Sequence, residues 1–249
     1  MRASLLSVLF CCSFIWIAYK TAAGIVSRKV LGIGTGNGYG IREIAPNANE
    51  FWTLDKNYIT IDYRNYPNTR FVKAKVPPLT NIPYNYFDYV VCFQLIEHVE
   101  DTLTLLKEIK RVLKKDGELL ISTPNKIRSL TRNPYHVQEY TRDEFKSLLQ
   151  LFFLSVSGYG VLGNDNVELY YEKSKNSVNQ ILSFDILKLN QRLPRWLLRL
   201  PYDLFNRISR HLILIDNKEL TMGISDRDYY LDEPNDNCYD FLFVTNDNS

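Results

Sequence analysis

The chain has 249 residues, 45% apolar and 13% aromatic, enough to bury one full α/β core plus an extension. Thirty Lys and Arg against 28 Asp and Glu leave a formal charge of +2, so nothing global demands a nucleic acid partner. The four cysteines, Cys11, Cys12, Cys92 and Cys238, have neither disulfide nor zinc spacing, which argues against a disulfide-stapled secreted scaffold and for a reducing, cytoplasmic setting.

Ala3 to Tyr19 is a run of seventeen residues without a charge, between Arg2 and Lys20. It suits a helix packed on a sheet, a short membrane anchor, or a signal peptide cleaved near Thr21-Ala22-Ala23. If the run spans a membrane, Lys20, Arg28 and Lys29 against Arg2 favour a cytoplasmic catalytic domain. The apolar segment Val30 to Ile33 then breaks into glycines at Gly34, Gly36, Gly38 and Gly40. A buried strand ending in such a loop lets backbone approach a ligand, because glycine lacks a Cβ and tolerates positive φ. Ile41 to Asn49 predicts a short helix and Phe51 to Leu54 a second strand with Asp55 at its end. Asp55 lies 21 positions after Gly34, the separation expected of an acid that bonds a ribose diol; Asp62 is the competing candidate.

Phe87 to Phe93 reads as a buried strand, followed by Gln94-Leu95-Ile96-Glu97-His98 and an amphipathic helix over Thr102 to Leu113. Lys114-Lys115-Asp116-Gly117 closes that helix, and Glu118 to Pro124 begins another strand. Thr141, with Glu144 three residues on, is an N-cap with its capping-box partner.

This ordered set resembles the class I S-adenosylmethionine-dependent methyltransferases, in the broad type 11-like subgroup: a glycine loop, F-D-x-V, an E-H after the fourth strand and R-V-L-K-x-G-G before the fifth. The resemblance covers about residues 25 to 160. It implies a doubly wound, mostly parallel seven-stranded α/β sheet of Rossmann-like form, its last strand antiparallel. It implies S-adenosylmethionine as cofactor, with Gly34, Gly36 and Gly38 facing the methionine part, Asp55 on the ribose hydroxyls, and Phe93 and Gln94 nearby. A cofactor of that kind also favours the cytoplasm. Two positions depart from the family pattern: Gly32 stands where an acid is usual, and Lys75 where relatives carry Asp or Asn for the adenine amine. A lysine only donates, so it cannot accept that bond. These departures motivate a second reading, a degenerate cofactor-fold binding module.

Methyl transfer from a sulfonium is an in-line displacement, helped mostly by holding donor and acceptor in register; a base is needed when the nucleophile must lose a proton. His98 is the candidate base or positioning residue, and Glu97 would hold it. His136, after Thr123-Pro124-Asn125, gives the layout a further likeness to small-RNA 2′-O-methyltransferases, in which such residues bind a divalent metal; ubiquinone-pathway O-methyltransferases share its first half. Here the first carboxylate position of that pattern is Gln94, a neutral and weaker ligand, and no metal is assigned.

The expected organisation is an apolar N-terminal helix over 1–24, the cofactor-binding core over 25–163, a helical insertion over 164–236, and the last strand and tail over 237–249. Within the insertion, residues 192–210 carry five arginines, Arg192, Arg195, Arg199, Arg207 and Arg210, with Trp196 and several large apolar groups. That segment reads as a lid whose basic face favours an anionic acceptor, or as a surface for an anionic membrane. The sequence reading is methyl transfer to an oxygen or nitrogen of a small or lipid- or sugar-linked acceptor, with membrane association through residues 3–19 or 192–210 as an option. Metal-assisted RNA 2′-O-methylation is the enzymatic alternative.

Overall fold

The computed structural model describes residues 3–182, 194, 197 and 224–247, with side chains from 14 to 180 and at 194, 197 and 224–247. In chain order the elements are α1 (Ala3–Ile25), β1 (Lys29–Ile33), α2 (Ile41–Ile44), β2 (Glu50–Asp55), β3 (Thr69–Lys73), β4 (Phe87–Phe93), α3 (Thr102–Val112), β5 (Leu113–Pro124), α4 (Arg142–Gln150), β6 (Ser155–Gly163), α5 (Asp165–Leu182), β7 (Tyr229–Asp232) and β8 (Asp240–Asn246). They build one sheet in the order β3-β2-β1-β4-β5-β8-β6-β7. The neighbours from β3 through β5 are parallel, and β8 enters antiparallel between β5 and β6.

The sheet has eight strands where seven were expected; the addition is β7, antiparallel on the outer edge of β6. Its Tyr-Tyr-Leu-Asp alternates, with Tyr229 buried and Tyr230 exposed, a period-two pattern inside a stretch read as helical insertion. The basic segment at 192–210 lies outside the described residues apart from Pro194 and Leu197, both exposed.

Alternation along the parallel strands sorts the core into two layers. Leu31, Ile33, Val90 and Cys92 point to one face and meet Leu105, Ile109, Phe145 and Leu149 from α3 and α4. Val30, Val91, Phe93 and Leu120 point to the other and meet Ala18, Tyr19 and Ala22 from α1 and Val26 just past its end. Helix α3 begins where the Asp101 carboxylate accepts from Thr104 N at 2.9 Å, and buries Leu105, Leu106, Ile109 and Val112 on one stripe. It ends one residue before the expected Leu113, because Leu113 pairs with Phe87 and is drawn into the sheet; Lys114 to Gly117 belong to β5, with a register shift between Phe87 and Tyr89. Helix α4 opens on the expected capping box of Thr141 and Glu144.

From Phe14 onward α1 is a packed helix: Ala18, Tyr19 and Ala22, with Val26 just past its end, lose nearly all exposure. Among the described residues no helix is long and apolar enough to cross a membrane. The Tyr19 ring meets Phe93 edge-on at 5.0 Å and fills the space beside Gly40, where a Cβ would come within 2.1 Å of it. Tyr19 therefore ties α1 to the segment that follows the glycine loop. Tyr19→Ala is expected to cost about 3 kcal/mol of unfolding free energy, in the range of other large aromatic deletions, read from denaturant melts.

Candidate active site

The chain leaves β1 through Gly34 (φ 74°), Gly36 (φ 55°) and Gly38 (φ 89°), a left-handed series that side-chain-bearing residues resist. Gly34 N and Thr35 N both donate to Leu54 O, at 2.8 and 3.2 Å. Beneath the loop the Thr53 hydroxyl donates to Thr35 Oγ1 at 2.7 Å, and that hydroxyl donates to Leu54 O. This buried pair, absent from the sequence reading, pins the loop to the end of β2; two threonines in apolar strands carry too little pattern to be singled out.

Asp55 closes β2. Its Oδ2 accepts from Gly36 N and its Oδ1 from Asn57 N, both at 2.8 Å. Each oxygen keeps a further lone pair, as a carboxylate binding a diol requires. Asp62 instead caps a turn and pairs with Arg64, away from the cavity. A cavity of about 990 Å³ opens here, lined by Gly34, Gly36, Asn37 and Asp55 on one side and by Gln94, His98, Tyr135 and Val137 on the other, with Lys56 and Asn57 also bordering it. A Cβ on Gly36 would meet no atom within 4 Å, so the loop leaves open room for a ligand. Gly38 does not line this cavity; a Cβ there would meet Ile41 and Ile59.

Of the two departures, Gly32 has a packing cause: a Cβ there would lie 3.0 Å from the Phe51 ring, so that ring occupies the room an acidic side chain needs. Lys75 is not among the cavity-lining residues. Phe93 is also set back from the cavity. As the last residue of β4 it turns to the α1 face, 3% exposed against Tyr19.

Glu97 and His98 share one 3-10 turn over Ile96–His98. Val137 N donates to Glu97 O at 2.6 Å, folding residues 133–138 back over that turn. This brings the His136 ring to 4.8 Å from that of His98. His98 Nδ1 donates to Tyr135 O at 2.9 Å, which leaves the Nε2 lone pair open, 3.9 Å from Glu97 Oε1. Burial lowers the His98 pKa, and the charge of Lys56 adds to the shift. Glu97 is 1% exposed; Thr123 Oγ1 donates to its Oε2, and its Oε1 has no hydrogen-bond partner among the described residues. Burial pushes the Glu97 carboxyl up to about 8, with Asp240 contributing.

Ligand atoms of Glu97, His98 and His136 lie within 4.8 Å of one another, so the three expected candidates do converge. Further hydrogen bonds fix the His136 ring. His136 Nδ1 donates to Glu139 Oε1 at 2.5 Å, and its Nε2 accepts from Asn133 Nδ2 at 2.9 Å. With Nδ1 of His136 held by a carboxylate, its Nε2 joins Glu97 Oε1 and His98 Nε2 as the three atoms that a divalent metal could draw on there.

Residues 16–156 match the methyltransferase domain family. The chain belongs to that family. The methyltransferase domain is 35% identical over 137 residues to a probable S-adenosylmethionine-dependent methyltransferase of Mycobacterium tuberculosis, covering 52% of this chain and 50% of that protein. It is 30% identical over 122 residues to a ubiquinone biosynthesis O-methyltransferase of Actinobacillus pleuropneumoniae, covering 43% and 50%. The chain thus spans about half the length of the curated relatives it matches. Among solved structures, the [4+2]-cyclase SpnF aligns with a TM-score of 0.54 at 14% identity, over 95% of this chain and 82% of that one. YcgJ of Bacillus subtilis aligns at 0.53 and 15%, over 93% and 99%. At these identities the likeness concerns the fold alone, and the cyclase illustrates that the fold does not set the reaction. The family's cofactor, S-adenosylmethionine, suits the open glycine loop and the Asp55 carboxylate.

Asp55→Ala removes charge-assisted acceptors and is expected to weaken S-adenosylhomocysteine binding by about ten- to a hundredfold in calorimetric titration. Glu97 generates a pH dependence of stability. Its folded pKa of about 8 exceeds the ordinary 4.5, so between these values the unfolded chain gives up a proton that the native state keeps. Stability is fully present below the lower value and falls as pH rises toward the upper. Glu97→Gln is expected to lose less Tm than wild type between about pH 5 and pH 8; parallel profiles would contradict this.

Proposed function

We propose that this protein transfers a methyl group from S-adenosylmethionine to an oxygen of a small, sugar- or lipid-linked acceptor, with His98 receiving the acceptor's proton. The cofactor, when bound, supplies a sulfonium methyl whose bond to sulfur breaks, its electron pair staying on sulfur, as the acceptor oxygen forms the new bond. Gly34, Gly36 and Asp55 hold and orient it, and Gly38 gives the loop its turn. His98 supports the reading most directly: it lines the same cavity as the glycine loop and Asp55, and Tyr135 O fixes its tautomer so that Nε2 can accept a proton. Because its pKa is lowered, the imidazole is neutral at neutral pH and competent as a base. Glu97, 3.9 Å away with its carboxyl raised to about 8, borders His98 as a neutral group.

An oxygen acceptor agrees with the likeness to the ubiquinone biosynthesis O-methyltransferase. Lys56 beside the cavity, with a charge felt at His98, suits an anionic group on the acceptor. The convergence of Glu97, His98 and His136 supports metal-assisted RNA 2′-O-methylation as the second reading, against which stands the neutral Gln94 at the first carboxylate position. Lys75 still motivates the binding-module reading; Gly32 does so less once its packing is known.

The test is methyl transfer to a panel of hydroxylated acceptors. His98→Ala is expected to lower kcat by about a hundredfold or more with little change in cofactor affinity. In wild type, kcat/KM is expected to fall on the acid side of a pKa below the ordinary histidine value of 6.5. EDTA is expected to leave the rate unchanged. Inactivation by EDTA, reversed by a divalent cation, would replace this reading with the metal-assisted one. A folded protein that binds no S-adenosylhomocysteine would point to the binding module.

A further inference from the structure

The methyltransferase reading leaves one buried acid without a task. Asp240 opens β8, opposite Pro124 of β5 and Val161 of β6, and is 4% exposed. Gln94 Nε2 donates to its Oδ2 at 3.2 Å. Among the described residues no lysine or arginine forms an ion pair with it. A carboxyl in such a position is costly to bury, and a packing role alone would be served better by an apolar side chain.

Its partner holds an unfavourable backbone. Gln94 is the residue at which the chain leaves β4, with φ 50°, a region that non-glycine residues enter rarely and keep when their surroundings hold them there. Three bonds do so: Gln94 N donates to Ser122 O at 3.2 Å, and Nε2 donates to Ser122 Oγ at 3.4 Å and to Asp240. The turn has two consequences for the site. It presses Leu95 against the glycine loop, where a Cβ on Gly34 would lie 3.0 Å from Leu95 Cδ1. It also directs the chain into the 3-10 turn that carries Glu97 and His98. Gln94 and Leu95 both line the cavity.

We propose that Asp240 is a positioning residue of the methyltransferase site, acting from β8 through Gln94 to hold the β4 turn against the cofactor loop. It touches neither the reacting atoms nor the cofactor, and its effect is on the shape of the floor between Gly34 and His98. Since two strands, β5 and β8, anchor the one side chain of Gln94, the last strand of the sheet takes part in forming the site.

The inference rests on the methyltransferase reading, so wild-type binding of S-adenosylhomocysteine is the control. Asp240→Leu and Gln94→Leu are each expected to weaken that binding about tenfold and to raise the cofactor KM more than they lower kcat. The double variant is expected to be no weaker than either single one, since both break the same contact. Asp240→Asn, which keeps an acceptor oxygen, is expected to recover most of the affinity lost in Asp240→Leu, whereas a role of the charge itself would show no recovery and overturn the inference. Additive losses would overturn it too. If Asp240→Leu does not fold, unchanged binding by Gln94→Leu overturns it, and a tenfold loss in Gln94→Leu that Asp240→Asn does not share supports it. A wild type that binds no S-adenosylhomocysteine would instead sink the methyltransferase reading, and this inference with it.

Discussion

Parallel pairing of β1 with β4, Gly32 beside Val91 and Ile33 beside Cys92, is the constraint on which the site depends. It brings the ends of both strands to one edge of the sheet, so that the segments leaving them diverge around a common space. With β2 and β3 on one side and β5 on the other, the strand order reverses across this pair, and in open α/β sheets that crevice is where ligands bind. One segment is the glycine loop, pinned to Leu54 by backbone and threonine bonds. The other is the Gln94 turn, pinned to Ser122 and Asp240. The two touch through Leu95 packed on Gly34, so the glycine loop and the turn that carries His98 form one unit.

The packing that supports this unit comes from both faces. On one side α1 inserts Tyr19 between Phe93 and Gly40, holding the segment after the loop from below. Near the middle of the same helix Phe14 stacks on Tyr239 and meets Tyr229 edge-on. Helix α1 therefore spans from the cofactor loop to the antiparallel strands β7 and β8. Beside those strands Arg128 lies over the rings of Tyr171 and Tyr239, and its Nη2 donates to both carboxylate oxygens of Glu168, clamping the end of the β5 loop to α5. Burial there raises the cost of leaving that guanidinium unpaired, which the carboxylate offsets.

Two buried acids set the electrostatics behind the cavity. Burial raises Asp240 to about 7 and Glu97 to about 8. Below about pH 8 the Glu97 carboxyl therefore keeps its proton, and it forms no standing ion pair with the neutral His98 beside it.

The glycine series, the apolar strands, the amphipathic α3 and the Thr141 cap were legible because each is a local pattern with a fixed period or spacing. For the same reason Asp55, Glu97 and His98 could be singled out: they stand just after apolar runs, where a parallel sheet presents side chains to ligands. Whether they meet was a different matter. Val137 bonding to Glu97 O, His136 turning to Asn133 and Glu139, and Asp240 crossing from β8 to Gln94 are contacts between segments as many as 146 positions apart. No periodicity records such contacts, and the same is true of the Phe51 ring that takes the room beside Gly32. The sequence by itself determined the order of the elements and the chemical character of the loops, because those depend on neighbouring residues. Only the tertiary structure decided that Phe93 faces α1, that an eighth strand edges the sheet, and which lone pairs remain open to a substrate, because burial and hydrogen-bond partners arise from surfaces that the chain brings together in space.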